Sequence, residues 1–287
     1  MAPLQIEAKN MTLRVVAWNS ATQRLVRTNK DPADIGGAVL IDVVDAGSVT
    51  VPLGSTSATI PFNMTFDSAG SYALVVNMTN LVDTSAQYQP VIVISKTTTE
   101  FTALWNVPTD SANYRIDFIA VIPFLSFRAN VEALSSGIKS NTSALLSAAT
   151  YATIPQIINE VDTTPIILHP VNITVKDSIS FTTKWNINTD TSNYNLHWAA
   201  TLTIGSTLKS GINIISNGAT SISISFGFPA LATGSYALIP RMSNVTDTNS
   251  LYQPITVTSK TISGFTAKWN QPVDSVNYKL DWILKTL

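Results

Sequence analysis

Apolar and polar residues alternate with a period of two through most of this chain. In FTAKW, Phe265, Ala267 and Trp269 fall on one face of an extended strand, with Thr266 and Lys268 on the other. In NYKLDW, Tyr278, Leu280 and Trp282 share a face, and Lys279 and Asp281 take the opposite one. Between these runs lies NQPVDSV (270–276), whose Pro, Asp and Ser are loop residues. PVIVISK (90–96), PVNITVK (170–176) and PITVTSK (254–260) alternate too, each opened by a proline suited to the first position of a strand. The one stretch that admits a helix is NVEALSSGIKSNTSALLSAA (130–149). Short strands separated by turn residues predict an all-β sandwich architecture.

A repeat underlies the alternation. GFTAKWNQPVDSVNYKLDW (264–282) has counterparts in EFTALWNVPTDSANYRIDF (100–118) and SFTTKWNINTDTSNYNLHW (180–198). Trp105, Trp185 and Trp269 are separated by 80 and 84 residues, and each follows a phenylalanine four positions earlier (Phe101, Phe181, Phe265). An Asn-Tyr pair comes next (Asn113-Tyr114, Asn193-Tyr194, Asn277-Tyr278), and four residues beyond the Tyr stands Phe118, Trp198 or Trp282. Upstream, SYALVVNMTNLVDTSAQYQP (71–90), TYATIPQIINEVDTTPIILHP (150–170) and SYALIPRMSNVTDTNSLYQP (235–254) share a Tyr, a central Asp and a closing Pro. SATIPF (57–62) resembles SISISF (221–226), where the second copy offers only LSSGIKSNTSALLSA (134–148).

A spacing near 80 is that of a small domain rather than a solenoid repeat. The expected organisation is an N-terminal arm or hairpin (1–37), β-sandwich repeats at 38–122 and 204–287, and a shortened one at 123–203. LRVVAW and QRLVR supply the hairpin, with Arg14, Arg24, Arg27 and Lys30 nearby. The recurring Phe and Trp residues are expected to be core, written once per repeat, each burying a large apolar area.

Composition narrows the function. Charged residues make up only 12% of the chain, about half the usual share, and hydrophobic ones 45%. Thr, Ser and Asn carry the polarity, which suits surfaces that meet other protein. A net charge of -1 gives no electrostatic reason to expect nucleic acid or an anionic membrane as partner. With no cysteine, a disulfide framework, thiolate metal sites and a Cys nucleophile are excluded. MAPLQIEAKNMTLRVVAW does not have the form of a signal peptide, and no stretch approaches the roughly 18 apolar residues of a membrane helix. The sequons at Asn10, Asn63, Asn77, Asn141, Asn172 and Asn244 are therefore read as products of Thr- and Asn-rich strands.

A Tyr strand, an Asp-bearing loop, a strand ending near a Lys or Ser, then GF-x-A-x-W and a closing Y-x-L-x-W resembles the H-type lectin-like domain. SGFTAKWNQPVDSVNYKLDWI (263–283) is especially similar to the versions in bacteriophage tail-fibre and other virion proteins. The resemblance covers about residues 40–287 in three copies. It implies a six-stranded antiparallel β-sandwich that usually trimerises, so that three copies in one chain could imitate a homotrimer. It also implies an all-β fold of three tandem sandwiches after the arm. The sugar-binding agglutinins of that family use a Trp-His pair in the loop after the GF strand. The loops here, NVPTDSA (106–112), NINTDTS (186–192) and NQPVDSV (270–276), contain neither residue.

Candidate chemistry is sparse. His169 and His197 stand where the other copies have Gln89 and Gln253, or Asp117 and Asp281, and read as polar strand residues rather than metal ligands. No HExxH, EF-hand, GxSxG, P-loop or dinucleotide fingerprint occurs. Carboxylates recur at two loop positions, Asp83, Asp162 and Asp247, then Asp110, Asp190 and Asp274. With Asn106, Asn186 and Asn270 they form the candidate ligand or interface loops, although turn stabilisation is the default reading for such residues and for Asn113, Asn193 and Asn277. No catalytic residue, metal or cofactor is expected. The expected function is that of a non-enzymatic bacteriophage virion protein, folded in the host cytoplasm and exposed on the particle. It would serve attachment (tail fibre or baseplate) or capsid decoration, with other virion proteins and host surface glycans as partners. The alternative is a free carbohydrate-binding lectin or a cell-surface-layer protein.

Overall fold

Among the described residues, six strands form in each copy, and turns fix where they begin. The structure is a computed structural model that describes residues 15–19, 24–28, 44–69, 72–83, 89–122, 127–137, 140–144, 152–159, 161, 170–177, 180–185, 187–201, 208–226, 231, 235–247 and 253–287. The chain separates into two compact units, Met1–Ile41 and Asp42–Leu287. In the first, β1 (Val15–Asn19) pairs antiparallel with β2 (Arg24–Thr28).

In the second unit, copy one supplies β3 (Val44–Thr50), β4 (Ser57–Pro61), β5 (Ala73–Asn80), β6 (Ile92–Lys96), β7 (Glu100–Leu104) and β8 (Tyr114–Val121). Copy two supplies β9 (Phe127–Ala133), β10 (Ser140–Ala144), β11 (Ala152–Asn159), β12 (Asn172–Lys176), β13 (Ser180–Lys184) and β14 (Tyr194–Thr201). Copy three supplies β15 (Leu208–Ile214), β16 (Ser221–Ser225), β17 (Tyr236–Asn244), β18 (Thr256–Thr261), β19 (Gly264–Lys268) and β20 (Tyr278–Thr286).

The stretch that admitted a helix folds instead as β9 and β10. Gly137, at φ +78°, turns the chain between them, as Gly54 (+74°) and Gly218 (+79°) do in the other copies. SNTSA then pairs antiparallel with β13, in the place that SATIP takes beside β7 and SISIS beside β19. Copy two thus has the same six strands as its neighbours.

The sandwiches of the three copies are not separate but share their sheets. The eighteen strands make three six-stranded sheets, and each sheet takes three strands from one copy and three from another. The orders are β4-β7-β6-β11-β14-β9, β10-β13-β12-β17-β20-β15 and β16-β19-β18-β5-β8-β3. Within a copy every pairing is antiparallel, but the junctions β6–β11, β12–β17 and β18–β5 are parallel. The last junction returns the third copy to the first, so the three copies close on themselves around a pseudo-threefold axis.

Sheet sharing explains why β5 and β11 are buried along their whole length. Leu74, Val76 and Met78 point into the sandwich of copy one with Phe101, Trp105 and Phe118. Ala73 and Val75 point the other way, to an axial core that draws Ile119, Ile154, Ala199, Ile239 and Ile283 from all three copies. The repeated aromatics are core, as expected: Phe101, Phe181, Phe265, Trp105, Trp185 and Trp269 are each at most 3% exposed. Trp105 and Trp269 donate their indole N–H to the carbonyls of Ser55 (2.9 Å) and Ala219 (3.0 Å). Small residues make room for rings: a Cβ on Gly211 would stand 2.5 Å from the Trp282 ring.

Candidate functional site

Asp83 and Asp247 brace the loops in which the candidate residues lie. Asn80, the last residue of β5, accepts the N–H groups of Val82 (3.1 Å) and Asp83 (2.9 Å), which closes a turn. Both Asp83 oxygens are then occupied: Oδ2 by Asn80 Nδ2 (2.6 Å) and the Ser111 hydroxyl, Oδ1 by Asn113 Nδ2 (2.6 Å). Copy three repeats the clamp with Asn244, Asp247, Ser275 and Asn277. The hydroxyl first, then the two amides, hold both carboxyls below the ordinary Asp range. These carboxylates are acceptors that tie one loop to the next. In copy two Asn159 closes the same turn onto Val161 (3.1 Å), while Asp162 lies outside the described residues.

Asn106, Asn270, Asp110, Asp190 and Asp274 stand exposed on the loops that follow the Trp; Asn186 lies outside the described residues. Glutamines carry these loops. Gln89 exchanges two hydrogen bonds with the backbone of Val107 (2.9 and 2.7 Å), and Gln253 does the same with Gln271 (2.9 and 2.7 Å). His169, their counterpart, is not among the described residues. Gln89 and Gln253 also line a small depression, partly open to solvent, together with Pro90, Pro170, Pro254 and, from the axis, Asn77, Gln156 and Arg241. Register places all three loops at this end of the ring, since Leu104, Lys184 and Lys268 pair with Ile92, Asn172 and Thr256 just beyond those prolines.

The group at the centre has no counterpart in the repeat pattern. Arg241 spends every N–H on neutral oxygens: Nε on Pro155 O (3.1 Å), Nη1 on Pro240 O (2.8 Å) and Asn77 Oδ1 (3.3 Å), Nη2 on Val76 O (2.8 Å) and Gln156 Oε1 (2.5 Å). Desolvation pulls its pKa down to about 10, so it remains a cation at neutral pH. Asn77, Gln156 and Arg241 occupy the same position in the three copies, and only one of them carries charge.

Polar residues also mark the seams between copies. Asp281 was expected on the face opposite the aromatics, and it does lie there, but that face is the buried axis. It accepts the Thr153 N–H (3.1 Å) and the Lys176 ammonium (2.6 Å) from copy two. Asp117 accepts the Leu238 N–H (3.0 Å) and pairs with Lys260 from copy three. A β-bulge aims each lysine. β6, β12 and β18 each gain one residue against their partner, between Val93 and Ser95, Ile173 and Val175, Val257 and Ser259. The slip puts Lys96, Lys176 and Lys260 opposite Phe101, Phe181 and Phe265, on the inward face.

Among the sequons, Asn77, Asn172 and Asn244 are buried, and Asn63 and Asn141 give their amides to Asp45 (2.9 Å) and Glu132 (2.8 Å). No cluster of three His, Asp or Glu side chains suited to a metal ion occurs among the described residues. Comparison with protein-family models, with curated proteins and with solved structures finds no match to this chain.

Proposed function

We propose that this chain is a non-enzymatic binding or cementing module, a bacteriophage virion protein whose lectin-like copies attach the particle or decorate it. One observation carries the reading. A closed ring presents its three post-Trp loops at one end, and two of them are braced by a recurring acid of the preceding loop, Asp83 or Asp247, which is spent on that contact rather than on chemistry. Such an end is braced by hydrogen bonds, and its exposed groups include amides, carboxylates and the apolar side chains of Val107, Ile187 and Val276, which are 49%, 50% and 65% exposed. Rigid loops on a stable scaffold lower the entropy cost of binding. The phage assignment rests on the resemblance of residues 263–283 and its copies.

Immunogold labelling of purified particles and glycan-array binding of the pure protein test this together. Labelling with loss of glycan signal in Asn270→Ala and Asp274→Ala supports attachment. Labelling without any glycan signal supports decoration. Glycan binding by a protein absent from particles would instead favour a free lectin, and hydrolysis of polysaccharide would overturn the non-enzymatic reading.

A further inference from the structure

The three seams follow one plan with one substitution. In each, a side chain on the last strand of one copy accepts a backbone N–H from the long strand of the next, beside a bulge-aimed lysine. Two seams use Asp117 and Asp281; the third uses His197 of copy two, whose Nδ1 accepts the Leu74 N–H of copy one at 3.2 Å. The imidazole is fully buried, and its Nε2 meets no partner among the described residues. Since Nδ1 accepts, the proton of the neutral ring sits on Nε2.

We propose that this seam is an acid-operated latch: protonation of His197 releases copy one from copy two while the two aspartate seams stay shut. A proton on Nδ1 turns the acceptor into a donor facing the Leu74 N–H, so the hydrogen bond is replaced by a clash of two donors. The surroundings offer the new charge no relief. Opposite His197 stand Val131 on β9 and Gln156 on β11, both uncharged, and Leu74 on β5. Glu132, next on β9, turns its carboxylate to Trp198 Nε1 (2.8 Å), Asn141 and Ser143. Among the described residues, the charged groups that reach this region are cations. Lys96 approaches from β6, its ammonium on Tyr72 O (3.2 Å), and Arg241 is bound to Gln156. Burial first, and then the Lys96 charge, hold the imidazole well below its ordinary pKa of 6.5. The sign follows: the closed seam excludes the proton and the open one takes it up, so opening grows more favourable as pH falls below about 6.5 and levels off only at the closed-state value.

Amide hydrogen exchange on the intact chain, followed by NMR from about pH 7.5 to about pH 5, tests the latch, each rate being divided by the intrinsic rate at that pH. One proton per opening makes protection at Leu74 fall about tenfold per pH unit below about 6.5, while Thr153 and Leu238 change less than about twofold. His197→Asp should flatten the Leu74 profile, and so should His197→Asn, which keeps an acceptor without a titration near neutrality. Equal slopes at the three amides, a flat Leu74 profile in the native chain, or a slope that persists in either variant would overturn the proposal. The native comparison alone decides the matter if neither variant folds.

Discussion

In the sandwich cores the three copies are nearly interchangeable. Phe101, Phe181 and Phe265 pack beside Trp105, Trp185 and Trp269, each set buried in its own copy. At the axis, the same long strands present Asn77, Gln156 and Arg241, and the seams present Asp117, His197 and Asp281. Each core faces one packing problem three times, so one solution serves. The axis is a single place where three copies meet, and three guanidinium groups there would repel one another in a poorly screened setting. One arginine bound by an amide from each neighbour avoids that. A homotrimer could not make this arrangement; a single chain with diverged copies can.

Removing a copy should break the comparison most severely. A chain ending at residue 203 strips β18 from β5 and β17 from β12, and opens the axial core by losing Ala237, Ile239 and Ile283. It should show no cooperative unfolding transition by calorimetry. Next come paired point changes, one in each region. Trp269→Ala should cost about 3–5 kcal/mol by urea denaturation through the cavity it leaves. Lys260→Met should cost a similar amount, about 3–5 kcal/mol, because Asp117 is then buried with its charge uncompensated. The double variant Lys260→Met/Asp117→Leu should recover part of that loss, short of all of it because the Leu238 N–H then loses its acceptor.

A smaller effect separates the loop clamps from both regions. Asp83 and Asp247 have lowered folded-state pKa values, so their contribution is complete above the ordinary carboxylate value of 3.8 and disappears as pH falls through the folded one. Asp83→Asn/Asp247→Asn should lower the melting temperature at neutral pH and flatten its fall in acid. Smallest of all, Asp274→Ala on its exposed loop should change stability by less than about 0.5 kcal/mol.

The cores were legible because burial of large aromatics leaves a spacing in sequence that divergence does not erase. The seams were half legible. Period-two alternation correctly set Asp281 opposite Tyr278, Leu280 and Trp282, but a polar residue on a second face reads as solvent-facing until another sheet covers it. Two signals could have corrected this: strands such as ALVVNMTN, apolar on both faces, and a lysine repeated at Lys96, Lys176 and Lys260. Alternation could not foresee the bulge, because an inserted residue shifts parity without altering composition. Arg241 left no trace, since its partners Val76, Pro155 and Gln156 come from other copies and three of its bonds go to backbone carbonyls. Among the loop residues, Asn80 was overlooked although its recurrence as Asn159 and Asn244 before each Asp was available.

Closure of the ring through β18 and β5, Val257 against Thr79, has a bearing on biosynthesis. The first copy to leave the ribosome must wait with β5 as an unprotected border until the last copy has been translated. A second nascent chain on the same message could fill that gap with its own third copy, giving interlocked chains instead of rings closed within one chain. Slow emergence or crowded polysomes should therefore raise the yield of such exchanged species.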